Sequence, residues 1–179
     1  MSRIFTTLAI ISNLLLVITV LLGLNIEDAG SLSDTARQQV GNHFLVALAS
    51  AMIALLVHAV VLTYFMGTGR WIEETSEAYR LGELARAENI RLKYRVIPGL
   101  VACLLLIMVT GAFGAIADPG SNVEMKGSAT IHFTLAVLTV LTNMFVSYLE
   151  FAQIQRNTQI VDAIIVEVRR IRTEKGLEN

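Results

Sequence analysis

Ile131 to Phe151 reads IHFTLAVLTVLTNMFVSYLEF, an apolar run interrupted by His132, Thr139, Asn143, Ser147 and Glu150. About 20 such residues suffice for a helix to cross a bilayer. At 100° per residue from His132, Thr139 and Asn143 fall roughly 20° to either side and Glu150 returns to about 0°, with Ser147 roughly 60° away. A lipid-crossing helix with a histidine at one end of a polar stripe and a carboxylate at the other needs something polar to face. The run therefore predicts the inner wall of a membrane helix bundle.

The rest of the chain agrees. Of 179 residues, 54% are hydrophobic and mean hydropathy is +0.62, above the roughly 45–50% apolar of soluble domains. Three further runs, about 4–24, 43–66 and 96–116, join 131–151 as expected spans. The first follows Arg3 as a signal peptide would. Its apolar core nevertheless exceeds the roughly 7–15 residues of a signal h-region and no A-x-A site follows, so a retained span is expected. The loop 25–42 suggests a short helix at 33–40, and Gly67 and Gly69 suggest a break or bend after the second span. Pro98 suits the first turn of the third.

Trp71, Ala78, Leu81, Ala85 and Leu92 recur at helical steps, so 70–95 reads as one or two amphipathic helices. Beyond Glu150, Ile154, Val161, Ile164, Val168 and Ile171 continue a heptad-like seam into the tail 155–179. The fold class is thus an all-α membrane protein: residues 1–154 form a four-transmembrane-helix bundle that includes the 70–95 segment, and 155–179 form a helical tail.

Basic residues orient it. Arg3, the six between Arg70 and Arg95 and the five between Arg156 and Lys175 lie on one side, against Arg37 and Lys126 on the other. The positive-inside rule then predicts cytoplasmic termini and cytoplasmic helical extensions. It also explains the arginines without nucleic acid, as a net charge of −1 does.

An offset of 89 residues lays His43-Phe44 on His132-Phe133, Ala47 on Ala136, Ser50 on Thr139, Ala54 on Asn143 and His58 on Ser147. The preceding loops match less closely, Asp28-Ala29-Gly30 against Asp118-Pro119-Gly120. This suggests a parallel two-helix repeat about an axis along the membrane normal. It places His43 and His132 at matched depth near the outer face.

Two histidines so placed, with Ala47, Ser50, Ala51, Ala136 and Thr139 nearby, fit the axial ligation of a non-covalent haem b. Two ligands do not specify any other metal. His58 lies roughly 22 Å deeper than His43 at 1.5 Å per residue, within reach of Asn143 and Glu150 on the fourth span. Such intramembrane polar groups serve either a proton relay or helix register. The single Cys103 precludes an intramolecular disulfide, and no CxxC, CxxCH, GxSxG or HExxH occurs.

The composition and motifs support three functions. The first is a non-enzymatic accessory or scaffold subunit in the lipid bilayer, meeting a partner protein or a second copy through its cytoplasmic helices. The second is a small b-type cytochrome with His43 and His132 as axial ligands. The third is an oligomeric proton or small-solute conductor using His58, Asn143 and Glu150.

Overall fold

A computed structural model describes residues 1–26, 33–123 and 125–177. Among these there are four helices and no strand: α1 (Ser2–Leu24), α2 (Asp34–Tyr79), α3 (Leu84–Ala117) and α4 (Ser128–Glu174). All four are long and apolar enough to cross a membrane. At 1.5 Å per residue, α2 and α4 are each about 70 Å long, more than twice a hydrocarbon core of about 30 Å, so both extend well beyond it.

The helices are inside out relative to a soluble bundle. Only 6–28% of each span's most apolar stretch is buried, so most of that surface faces outward. Phe44, Leu48, Met52 and Leu56 of α2 and Leu141, Met144, Phe145 and Tyr148 of α4 are exposed. The buried stripe of α4 instead carries Thr139, Asn143, Ser147, Glu150 and Asn157. Such an apolar exterior suits lipid as the surrounding solvent, where polar groups must find partners within the bundle.

Three local expectations give way to longer helices. Residues 33–40 begin α2 itself, with the Ser33 hydroxyl accepting from the Ala36 N–H at 3.2 Å and Asp34 in the first turn, where the helix dipole favours a negative charge. Gly67 and Gly69 do not break α2, which runs on to Tyr79. At Gly69 the glycine serves close packing, because a Cβ there would lie 2.6 Å from Asn89 Oδ1 of α3. Pro98 stands in the interior of α3, since the helix starts at Leu84 in the charged segment. Its missing N–H leaves the Tyr94 carbonyl without its usual donor, at a residue that is exposed. The Asp28-Ala29-Gly30 part of the loop match lies outside the described residues.

The 70–95 segment is the end of α2 and the start of α3, joined by a turn in which Arg80 takes the left-handed conformation (φ 54°). The Leu81 N–H reaches back to the Ser76 carbonyl at 2.8 Å, closing the helix end.

Packing places α1 on α2 and α3 on α4. Helices α2 and α4 meet across the centre, and among the described residues the backbones of α1 and α3 do not approach one another closely. The apolar core comprises Phe5, Ala9, Val57, Val61, Phe65, Leu92, Val96 and Ile154, drawn from all four helices. Towards the chain termini, Asn89 Nδ2 donates to Asn157 Oδ1 at 2.7 Å, and Asn157 Nδ2 donates to Thr68 Oγ1 at 2.9 Å. Ion pairs Arg86–Glu73 and Arg156–Glu88 tie the same region together. Ile72 is fully buried in this part of α2, and burying such a side chain contributes about 1.5–3 kcal/mol where water is the solvent.

Candidate functional site

Two polar sites occupy the bundle, one at the end opposite the termini and one near mid-length. At the first, His43 and His132 face each other with ring centroids 6.1 Å apart and planes at 89°. Both rings are half-buried. His43 Nδ1 lies 3.1 Å from the Thr19 carbonyl of α1, and His132 Nδ1 lies 3.0 Å from the Thr110 carbonyl of α3. A carbonyl only accepts, so each Nδ1 carries the hydrogen and each Nε2 keeps a lone pair in the neutral ring. Neither Nε2 has a hydrogen-bond partner among the described residues.

The helix geometry explains how an imidazole reaches a carbonyl already used within its own helix. The carbonyl of residue i lies beneath residue i+4, where a side chain would shield it. Here those residues are Gly23 and Gly114. A Cβ on Gly23 would lie 3.1 Å from His43 Cε1, and one on Gly114 would lie 3.0 Å from His132 Cε1. The threonine side chains brace the same corners: Thr19 Oγ1 meets Ser50 Oγ at 2.9 Å, and Thr110 Oγ1 meets Thr139 Oγ1 at 2.8 Å. Each helix pair thus makes one set of contacts from Thr-x3-Gly on one helix and His with a hydroxyl seven residues on from its partner.

Between the pairs lies a cavity of about 530 Å³. Both histidines line it, and Ala47, Ala51, Gly111, Gly114, Ala115 and Ala136 leave its space open. It extends along α2 from Val40 to Ala51, roughly 16 Å at 1.5 Å per residue. Ser121, Gly120 and Asp118 line it at the far end of the bundle, and Thr139 and Val140 on the side nearer its middle. Among the described residues no group of three or more His, Cys, Asp or Glu side chains is placed to hold a bare metal ion.

The second site begins one helical turn beyond Thr139. Asn13 Nδ2 donates to the Ala9 carbonyl at 2.8 Å, leaving its Oδ1 to accept from Asn143 Nδ2 at 2.9 Å. Asn143 Oδ1 then faces His58 Nε2 at 3.1 Å, while His58 Nδ1 lies 2.8 Å from Glu150 Oε1. His58 is 3% exposed and Glu150 0%, and among the described residues Glu150 Oε2 has no hydrogen-bond partner. Cys103 of α3 lies against the His58 ring.

The structure thus brings His43 to His132, and His58 to both Asn143 and Glu150. Sequence reasoning missed Asn13, the two anchoring carbonyls and the Thr68–Asn89–Asn157 cluster. The signal for the carbonyls was present as Leu16-x2-Thr19-x3-Gly23 and Ile107-x2-Thr110-x3-Gly114, and Thr68 and Asn157 keep the 89-residue offset. Comparison with family models, curated proteins and solved structures finds no match to this chain.

Proposed function

We propose that the protein is a small b-type cytochrome of a membrane electron-transfer chain, with haem b held between His43 and His132. The carrying observation is the paired imidazoles. One metal bound by an imidazole nitrogen from each side, at the roughly 2.0 Å usual for metal–imidazole bonds, would fit between rings about 6 Å apart. The rings stand 6.1 Å apart. Their Nδ1–H groups are already committed to backbone carbonyls, the outer partner that metal-ligating histidines generally have, which fixes the tautomer and aims the lone pair. The cavity volume lies within the roughly 300–1,000 Å³ usual for cofactor sites, and the small residues that line it leave a flat macrocycle room.

Haem held by His43 and His132 would supply a one-electron store. The chain's own contribution is positional. Thr19, Gly23, Thr110 and Gly114 set the ring orientations, and the apolar exterior keeps the site within lipid. By the positive-inside rule, both termini and the protruding ends of α2, α3 and α4 are cytoplasmic, and the histidines lie near the outer face. The recurrence of Thr-x3-Gly with His supports an ancestral duplication of a two-helix unit.

The accessory-subunit reading has less support. The seam that would meet a partner is used within the chain, where Ile154 and Ile164 are buried and Val161, Val168 and Ile171 half-buried. The conductor reading meets the apolar core beside Glu150, where Val61, Phe65 and Ile154 are fully buried. A visible spectrum tests the proposal. Protein purified in detergent from cells supplied with haem is expected to show a Soret band and a sharpened α band on adding dithionite. A colourless preparation contradicts it.

A further inference from the structure

The His58–Glu150 pair is neither ligand nor lipid contact, and its hydrogen bonds fix how many protons it holds. The Ala9 carbonyl orients Asn13, Asn13 orients Asn143, and Asn143 Oδ1 requires a hydrogen on His58 Nε2. His58 Nδ1 and Glu150 Oε1 are 2.8 Å apart, a distance at which two facing lone pairs would repel, so a second proton sits between them. The loaded pair carries no net charge, whether as imidazolium and carboxylate or as imidazole and carboxylic acid. Among the described residues Oε2 is fully buried and without a partner, which favours the neutral form, since an ionised carboxylate with one oxygen lacking a donor is more costly to bury than a carboxylic acid.

The surroundings settle which charge this proton can respond to. No Lys or Arg is within ion-pair distance of Glu150 among the described residues, and its ion-pair partner is His58. The groups facing the pair are Asn13 from α1, Cys103 from α3, and Asn143 and Ser147 from α4. α2 contributes His58 itself. The apolar core lies on one side, with Val61, Phe65 and Ile154 fully buried. On the other side Asn143 is one turn from Thr139 and Val140, which line the cavity.

We propose that His58 and Glu150 form a proton-binding site linked to the electron in the His43–His132 site, an inference that rests on the haem reading. If a haem bound there took one electron from an external donor, the pair would bind one proton from water on the Nδ1–Oε1 axis. Once an external acceptor removed that electron, the proton would return to water, leaving Glu150 ionised to offset the charge gained in the His43–His132 site. Such compensation is worth most where the dielectric is low.

The test is a redox titration of the haem-loaded full chain, with dithionite and ferricyanide, from about pH 5 to 8. The midpoint potential is expected to fall as pH rises, at up to about 59 mV per unit for one proton per electron. The slope should persist in Cys103→Ser and be lost in Glu150→Gln, whose amide N–H can still donate to Nδ1. A flat wild-type profile, or a slope that survives Glu150→Gln, overturns the inference while a Soret band dependent on His43 and His132 upholds the haem reading. A protein that binds no haem overturns both. Redox-difference infrared spectroscopy of the wild-type chain reads the event without a variant. A carboxyl or imidazolium band must change with oxidation state, and its absence also overturns the inference.

Discussion

Gly23 and Gly114 control access of each imidazole to its carbonyl, so their substitution should act on the histidines rather than on the helices. With a Cβ at 3.0 Å from His132 Cε1, Gly114→Ala forces the ring to move by a few tenths of an ångström, and Gly114→Val by more. Both variants are expected to keep the helical circular dichroism of the parent and to bind haem more weakly in that order, as read from Soret intensity during haem titration. At Glu150 the effect depends on what replaces it. Glu150→Ala leaves His58 Nδ1 buried without a partner and should lower stability by about 1–3 kcal/mol in thermal unfolding in detergent, whereas Glu150→Gln should change it by less than about 1 kcal/mol. The polar residues of α4 were legible because Asn, Glu and His inside an apolar run are conspicuous. Asn13 was equally conspicuous in composition, but Thr6, seven residues before it, bonds the Ser2 carbonyl of its own helix, and such a self-satisfied hydroxyl gave Asn13 no direction. The carbonyls of Thr19 and Thr110 were invisible as such, since a backbone acceptor is exposed by what the next turn lacks.

The helices themselves followed from hydrophobic period, while their ends did not. The charged residues from Leu84 onward and the span after them form one helix across Pro98, because an exposed carbonyl can lose its donor without penalty from burial. Likewise α2 passes through Gly67 and Gly69, and at Gly69 the glycine marks the approach of Asn89 rather than a break. A Cβ at position 69 would lie 2.6 Å from Asn89 Oδ1, so Gly69→Ala should disturb the Thr68–Asn89–Asn157 cluster and cost about 1–3 kcal/mol in unfolding. Arg80 offers the converse. It holds a left-handed conformation that glycine adopts freely, so Arg80→Gly is expected to raise stability by about 1 kcal/mol in the same measurement.

For the whole molecule, two helix pairs enclose a cavity at one end and close on an apolar core towards the other. The separation of polar and apolar zones along the bundle, more than any single motif, is what favours the proposed electron-carrying site over a channel. The four spans could be read from hydropathy and the matched depth of His43 and His132 from the 89-residue offset. That their rings would stand nearly perpendicular at ligand spacing could not, because it depends on how the two pairs dock across α2 and α4. Electron paramagnetic resonance of the oxidised, haem-loaded protein measures that arrangement most directly. The expected result is a low-spin signal with the strong anisotropy of perpendicular axial imidazoles, converted to high spin in both His43→Ala and His132→Ala. A signal that survives either substitution, or a wild-type protein without one, would contradict the account.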